Sequence, residues 1–349
     1  MELIEKMYYP VEMALKSGEK QMSMIIPNVE ELVSEDHPYK KLLRVVDWSE
    51  LARPLRNLYS KIGRRGYAVE QGLKCLFLQF LEDRSDRQME RFLKENLAAK
   101  YFCNFGLVEQ TPDHTYFCQF RERIGTYQLS EIFKKIVEAC RKQGIVREVY
   151  TFVDSSKIVA CVDTWKARDK AIADAKNEER DDDNNPTMNN SNLDQYSSDP
   201  DARFGVKGKN DIWLGYKRHV GVDARHGIIT KVAVTPANVH DGKGLKHVAP
   251  KQGAVLADKI YSDGPGQKEI KRRGLHSMVI KKNNNKDKNH RKDSYFSSLR
   301  MPLEGIFSKT SSRARYRGIL KVHFQVLMEP IVTNLKRLIV IGAEPIPIS

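Results

Sequence analysis

The sequence predicts an α/β domain built on a mixed sheet flanked by helices, preceded by an all-helical unit of about 100 residues. Two observations carry this. From Tyr39 to Gly144, apolar residues recur three and four positions apart, the period of helices with one buried face. After Gly144 the composition turns β-branched and aromatic, and strand-like runs alternate with helical ones in the order βββαβαβα.

Each element has a local reason. Residues 1–35 read as a flexible lead-in, 36–147 as the helical domain and 148–340 as the sheet domain. Leu42, Leu43, Val45 and Val46 precede Asp47-Trp48-Ser49, a helix-start signal. Val69 to Leu81 carries Leu73, Leu76, Phe77, Phe80 and Leu81 on one face. Ser85 and Asp86 cap a helix bearing Met89, Phe92 and Leu93. Thr111-Pro112-Asp113 marks a turn, Phe117, Phe120 and Ile124 space as a helix, and Leu129 to Arg141 forms another that Gly144 ends. Val149 to Val153 is the first strand, ending on Asp154. Residues 163–180 read as a charged helix and 181–205 as a flexible loop rich in Asp, Asn and Ser. Ile212–Asp223 and Ile228–Thr235 form a hairpin through Ala224-Arg225-His226-Gly227. Asp241–Val248 is a short helix, and Ala254–Ala257 a fourth strand ending on Asp258. Pro265–Arg273 is a helix closed by Gly274, and Ser277–Ile280 a fifth strand. Residues 282–293 form a Lys/Asn-rich loop, and the remainder is helical past Glu304 and through Ile319 to Leu338.

Charge narrows the function. The 349 residues hold 59 basic and 45 acidic side chains, a net of +14. Residues 251–349 alone carry 20 basic and 8 acidic side chains, whereas residues 1–150 are nearly balanced at 24 and 22. A localised basic field attracts polyanions, nucleic acid first among them. With 40% hydrophobic and 30% charged residues, the chain is not a largely disordered one. No apolar run approaches the roughly 20 residues of a membrane span. The start, Met-Glu-Leu-Ile-Glu-Lys, lacks a secretory apolar region, so a cytoplasmic address and no membrane partner are expected. Five cysteines without a C-x-x-C pair argue against a disulfide framework or a zinc site and suggest buried thiols.

Three acids hold special places. Asp154 ends the first strand, Asp258 ends the fourth, and Glu304 follows the fifth. If the first and fourth strands are parallel neighbours, both aspartates emerge at one sheet edge, where α/β sites lie. Carboxylates held that close repel and call for a cation, and oxygen donors favour Mg²⁺ or Mn²⁺. Two such ions serve in-line displacement at phosphorus. Aspartate is also an ordinary turn residue, so position alone leaves a structural reading open for each acid. Asp263 is a rival discounted for its place in a turn. His240 and Asp241 either cap a helix or stand near the site, and Trp213 and Tyr216 read as sheet packing. Arg313, Arg315 and Arg317 are candidate phosphate contacts, or else a solvated helix end.

Taken together, the motifs resemble the DDE transposases of insertion sequences, of the insertion-sequence-five type, over residues 37–340. In the InsH-type helical part these are His37-Pro38, Val46-Asp47-Trp48, Leu81-Glu82-Asp83-Arg84-Ser85-Asp86 and the run Phe117 to Ile124. In the second part they are Val153-Asp154-Ser155-Ser156-Lys157, Leu214 to His219, Val234 to Asp241 and Ala257-Asp258-Lys259-Ile260-Tyr261, then Arg300, Glu304, Phe307 and Arg315-Tyr316-Arg317-Gly318. The resemblance implies a ribonuclease-H-like catalytic domain whose metal-binding triad is Asp154, Asp258 and Glu304. It implies metal-dependent cleavage and strand transfer at the element's terminal inverted repeats, then at target DNA, by a homodimer in the nucleoid. The helical part would bind DNA or dimerise, and Arg300 and Lys309 would join the three later arginines on DNA. Departures exist. Ser311 stands where the family has Lys, with Lys309 as the nearest substitute, and Pro302 and Gly305 flank Glu304. Pro302 at a first helical position would place Glu304 in the first turn. The alternatives are a decayed or repurposed DNA-binding copy and a metal-dependent nuclease of the same fold.

Overall fold

The computed structural model describes residues 29–60, 66–162, 198–207, 211–262, 264–285, 288–307 and 310–348, without the side chains of residues 302–304, 306 and 307. The lead-in to residue 28, the charged helix over 163–180, the loop up to residue 197, Asp263 and Lys309 lie outside the described residues. The helical part comprises α1 (Pro38–Val45), α2 (Trp48–Ala52), a 3₁₀ turn (Arg53–Leu58), α3 (Val69–Leu81), α4 (Asp86–Glu95), α5 (Leu97–Phe102) and α6 (His114–Lys142). Its helix starts are chemically explicit. Asp47 Oδ1 accepts from the Ser49 and Glu50 amides, and Ser85 and Gln88 cap each other reciprocally at α4. Asp113 caps α6, whose span holds the two helices expected over 117–124 and 129–141. Gly125, at φ 63° and ψ 178°, is not helical and separates the two at a kink.

The sheet part comprises β1 (Tyr150–Val159), β2 (Arg203–Lys207), β3 (Asp211–Asp223), β4 (Ile228–Pro236), α7 (Asp241–Val248), β5 (Ala254–Ala257), α8 (Gly264–Arg272), β6 (His276–Val279), α9 (His290–Phe307) and α10 (Ile319–Val340). The six-stranded sheet runs β2-β3-β1-β5-β6, with β4 also beside β3. β1 is antiparallel to β3 and parallel to β5, which is parallel to β6. This is the ribonuclease-H-like mixed sheet with helices on its faces. α7 and α8 cover the face bearing Val153, Val255 and Ala257. α10 covers the other, packing Val322 and Val326 on Ile158 and Tyr216. Through Met328, Ile331 and Leu335 of α10, that second face shares one core with the helical part: Phe152, Val220 and Leu256 belong to the same cluster as Leu76 and Phe77.

Five expectations need correction. β1 does not stop at Asp154. Its pairing with β3 continues to Val159↔Gly215, and only the parallel pairing with β5 ends, at Val153↔Ala257. Residues 203–205 do not belong to a loop but open β2, a strand too short and Gly-interrupted to show a two-residue period. The Lys/Asn-rich loop ends early, because Asn289 Oδ1 accepts from the Lys292 amide at 3.1 Å and starts α9 there. Pro302 therefore falls inside that helix, and Glu304 in its last turn instead of its first. Cys75, Cys103 and Cys140 are buried free thiols, but Cys118 and Cys161 are exposed.

Candidate active site at the β1–β5 edge

Register builds the site. Val153 and Ala257 are the last paired residues of two parallel strands, so Asp154 and Asp258 are next in line on both. Side chains alternate along a strand, which puts Asp154 on the face of Phe152 and Asp258 on that of Leu256, the same face. The two local arrangements match. Asp154 Oδ1 accepts from the Ser155 amide at 2.8 Å, and Asp258 Oδ1 from the Lys259 amide at 2.6 Å. α9 packs across β1, β5 and β6 and lays Arg300 over the pair. The guanidinium lies 3.4 Å from Asp258 Oδ1 and 5.3 Å above the Phe152 ring, and it is buried. Position 304 is one helical turn beyond Arg300.

Electrostatics follow from burial. Burial raises the Asp154 carboxyl to about 6, the Ser155 amide and Arg300 pull it down, and Asp258 pushes it up. A divalent ion fits this donor set: two like-charged, oxygen-only ligands on one face, one of them half-buried at a cost that a cation would relieve. Among the described residues no three His, Cys, Asp or Glu side chains are grouped to hold a metal, and the Glu304 side chain is outside that description.

The three late arginines do not converge. Arg315 turns inward, donating to the Arg84 carbonyl at 3.0 Å, pairing with Asp83 and stacking 4.5 Å from the Phe80 ring. Arg317 Nε donates to the Cys161 carbonyl at 3.0 Å. Arg313 is exposed and lines a cleft of 1040 Å³ with Lys336 and Arg337. His240 is the α7 cap, its Nδ1 accepting from the Gly242 amide at 3.1 Å, while Asp241 lies 3.0 Å from Lys217 Nζ. Trp213 and Tyr216 pack in the sheet, the Tyr216 hydroxyl donating to Asp199 at 2.6 Å.

Sequence reasoning missed the polar frame behind the site. Buried Arg218 of β3 meets Glu329 of α10 at 2.6 Å and donates to the Ser311 carbonyl at 2.9 Å. Gln325 donates to the Arg313 carbonyl and accepts from the Arg315 amide. The segment after α9 is thereby pinned along β1, where Val159 and Arg313 bridge. The only local hint is polar residues, Gln325 and Glu329, amid the apolar face of a terminal helix. Tyr261, just past Asp258, is fully buried near the pair, with the Ser155 side chain beside its hydroxyl.

Comparison with known proteins fits this geometry. Residues 27–123 match the family described as a transposase domain (DUF772), and residues 148–335 the family described as the transposase DDE domain. Among solved structures, the piggyBac transposase synaptic complex with hairpin DNA is similar at 9% identity, covering 88% of this chain and 74% of that one, with a TM-score of 0.36. A likeness at that score adds nothing to what the sheet itself shows.

Proposed function

The chain belongs to the DDE transposase family, and from that premise we propose that Asp154, Asp258 and Glu304 together bind its catalytic divalent ions, Mg²⁺ or Mn²⁺. Members of this family cleave and join DNA by metal-dependent phosphoryl transfer, so the chain is a transposase acting on DNA. One observation carries the assignment of residues: Asp154 and Asp258 hold equivalent positions on parallel neighbours, on the face that α9 crosses. When bound, divalent ions activate the attacking oxygen and stabilise the leaving one.

The chain's own residues supply the rest. Asp154 and Asp258 present fixed carboxylates, each oriented by its neighbour's amide. Arg300 orients Asp258 and is proposed to meet a DNA phosphate beside it. Arg313 and Lys309 are proposed as further phosphate contacts, while the bonds of Arg315 and Arg317 favour a structural role. The DNA would be the element's terminal inverted repeats and then a target, bound by two copies of the chain in the nucleoid.

Labelled duplex ends incubated with the protein and Mg²⁺ test this. Cleavage and joining are expected, and both should vanish with chelator, in Asp258→Asn and in Glu304→Gln, while binding persists. Hydrolysis without joining would make it a nuclease, and binding without either reaction a decayed copy; each outcome overturns the proposal.

A further inference from the structure

A second cleft, of 590 Å³, lies at β4, on the opposite side of β1 from β5. Its walls are the second half of α6, β4, the end of α7 and one side of α10. Six cationic side chains converge on it: Lys134, Lys135, Arg141 and Lys142 from α6, Lys231 from β4, and Lys251 after α7. On α6 they fall in two pairs seven residues apart, which forms one stripe along the helix. Two of the six are paired with carboxylates, Lys134 with Glu131 at 2.7 Å and Arg141 with Glu138 at 3.2 Å and with buried Glu148 at 2.7 Å, and the charge to be met is that of Lys135, Lys231 and Lys251.

The remaining positive charge is not dispersed. The Lys231 ammonium donates to the Ala249 carbonyl, and burial, then Arg273, holds it below the usual lysine range despite Glu148, with Arg141 and Lys251 adding to the lowering. His247 is lowered by burial and by Lys246 and Arg273. A solvated surface normally mixes both signs. Like charges gathered in one concavity repel one another, and an arriving polyanion relieves the repulsion.

Position points the same way. Asp154, Val220 and Val232 stand on one line across the sheet, through the pairs Asp154↔Val220 and Val220↔Val232. Val232 lines the cleft, so the cleft begins two strand spacings, about 10 Å, from Asp154 at the backbone. That is well within one turn of duplex, about 34 Å.

We propose that this cleft is a second DNA-backbone contact, separate from the carboxylate pair, seating phosphates of the duplex whose scissile strand reaches Asp154. The inference rests on the transposase reading and extends it.

Amine acylation of the full chain, read lysine by lysine by mass spectrometry, tests the contact. A duplex of about two helical turns should protect Lys135, Lys231 and Lys251 several-fold, and inorganic phosphate at equal phosphate concentration should not. Lys135→Glu combined with Lys251→Glu should lower the slope of log affinity against log salt by about two. Lys135→Gln with Lys251→Gln should do the same, and it replaces the reversal if that variant fails to fold. Wild-type protein that joins DNA with these lysines unprotected overturns the cleft and leaves the transposase reading intact. Protection by phosphate alone makes it a small-anion site and also overturns the inference. Wild-type protein that binds no DNA overturns both.

Discussion

Asp154 and His219 are neighbours on paired strands with opposite acid–base consequences. Burial holds the Asp154 proton more tightly in the folded chain, at about 6 against an ordinary 3.8, so stability from this group is lost as pH rises between those values. His219 is buried between Thr235, whose hydroxyl lies 2.9 Å from Nε2, and Gly244, where a Cβ would overlap the ring. Burial, with Lys217 and His247, lowers it to about 4 from 6.5 despite Asp241, so its contribution is complete above 6.5 and lost as pH falls toward 4. In chelator the two trends oppose each other. Asp154→Asn should therefore raise the melting temperature at pH 7 by a few degrees and make acid destabilisation between pH 6.5 and 4 steeper. It should also abolish joining by several orders of magnitude. Calorimetry across that window checks the first outcome, and a melting temperature lowered at pH 7 would contradict it. His219→Gln should flatten the acid side of the profile instead.

At the scale of elements, the critical joint is between β3 and α10. Arg218 is 2% exposed and Glu329 lies mostly inside, so neither charge can turn to water if the other is removed. Arg218→Met should cost about 3–5 kcal/mol by stranding Glu329. Adding Glu329→Leu should recover much of that, since an apolar pair of similar volume is often no worse than a buried ion pair. Urea midpoints of the two variants decide this; equal midpoints would show that Glu329 finds water. Gln325→Leu should cost about 2 kcal/mol through two lost bonds to the Arg313–Arg315 backbone. Because that backbone follows α9, the same variant should weaken joining even with its acids intact.

Over the whole molecule, the helical part and the sheet are tied by apolar and polar contacts alike. Phe152 and Leu256 share a core with Phe77, and Arg315 reaches back to Asp83. Residues 148–348 expressed alone would bare that face, so the isolated segment should aggregate. The full chain should unfold in one transition seen alike by tryptophan fluorescence and circular dichroism, since Trp48 lies in the shared core. Two separated transitions would show that the parts fold independently. Among the described residues no helix is long and apolar enough to cross a membrane.

The sequence by itself determined what local physics controls. The span Val69–Leu81 follows from its apolar spacing, although the fold buries residues 72–80 on every side and not on one face, the starts at Asp47 and Ser85 follow from their side-chain oxygens, and the β3–β4 hairpin from Gly227 at φ 68°. It also marked Asp154 and Asp258, because each follows an apolar run that becomes a buried strand segment. Only the tertiary structure decided their neighbourhood. The parallel pairing that aligns them joins residues about a hundred positions apart, and no local period encodes it. The continuation of β1 past Asp154 depends on β3, and the inward turn of Arg315 on a partner 232 residues away. The cleft at β4 was hidden for the same reason. Five of its six cations come from residues 1–250, whose net charge is close to zero, and only folding brings them together with Lys251. Helix periods and caps are short-range and can be read along the chain, whereas charge neighbourhoods and strand partners are long-range and exist only once the chain has folded.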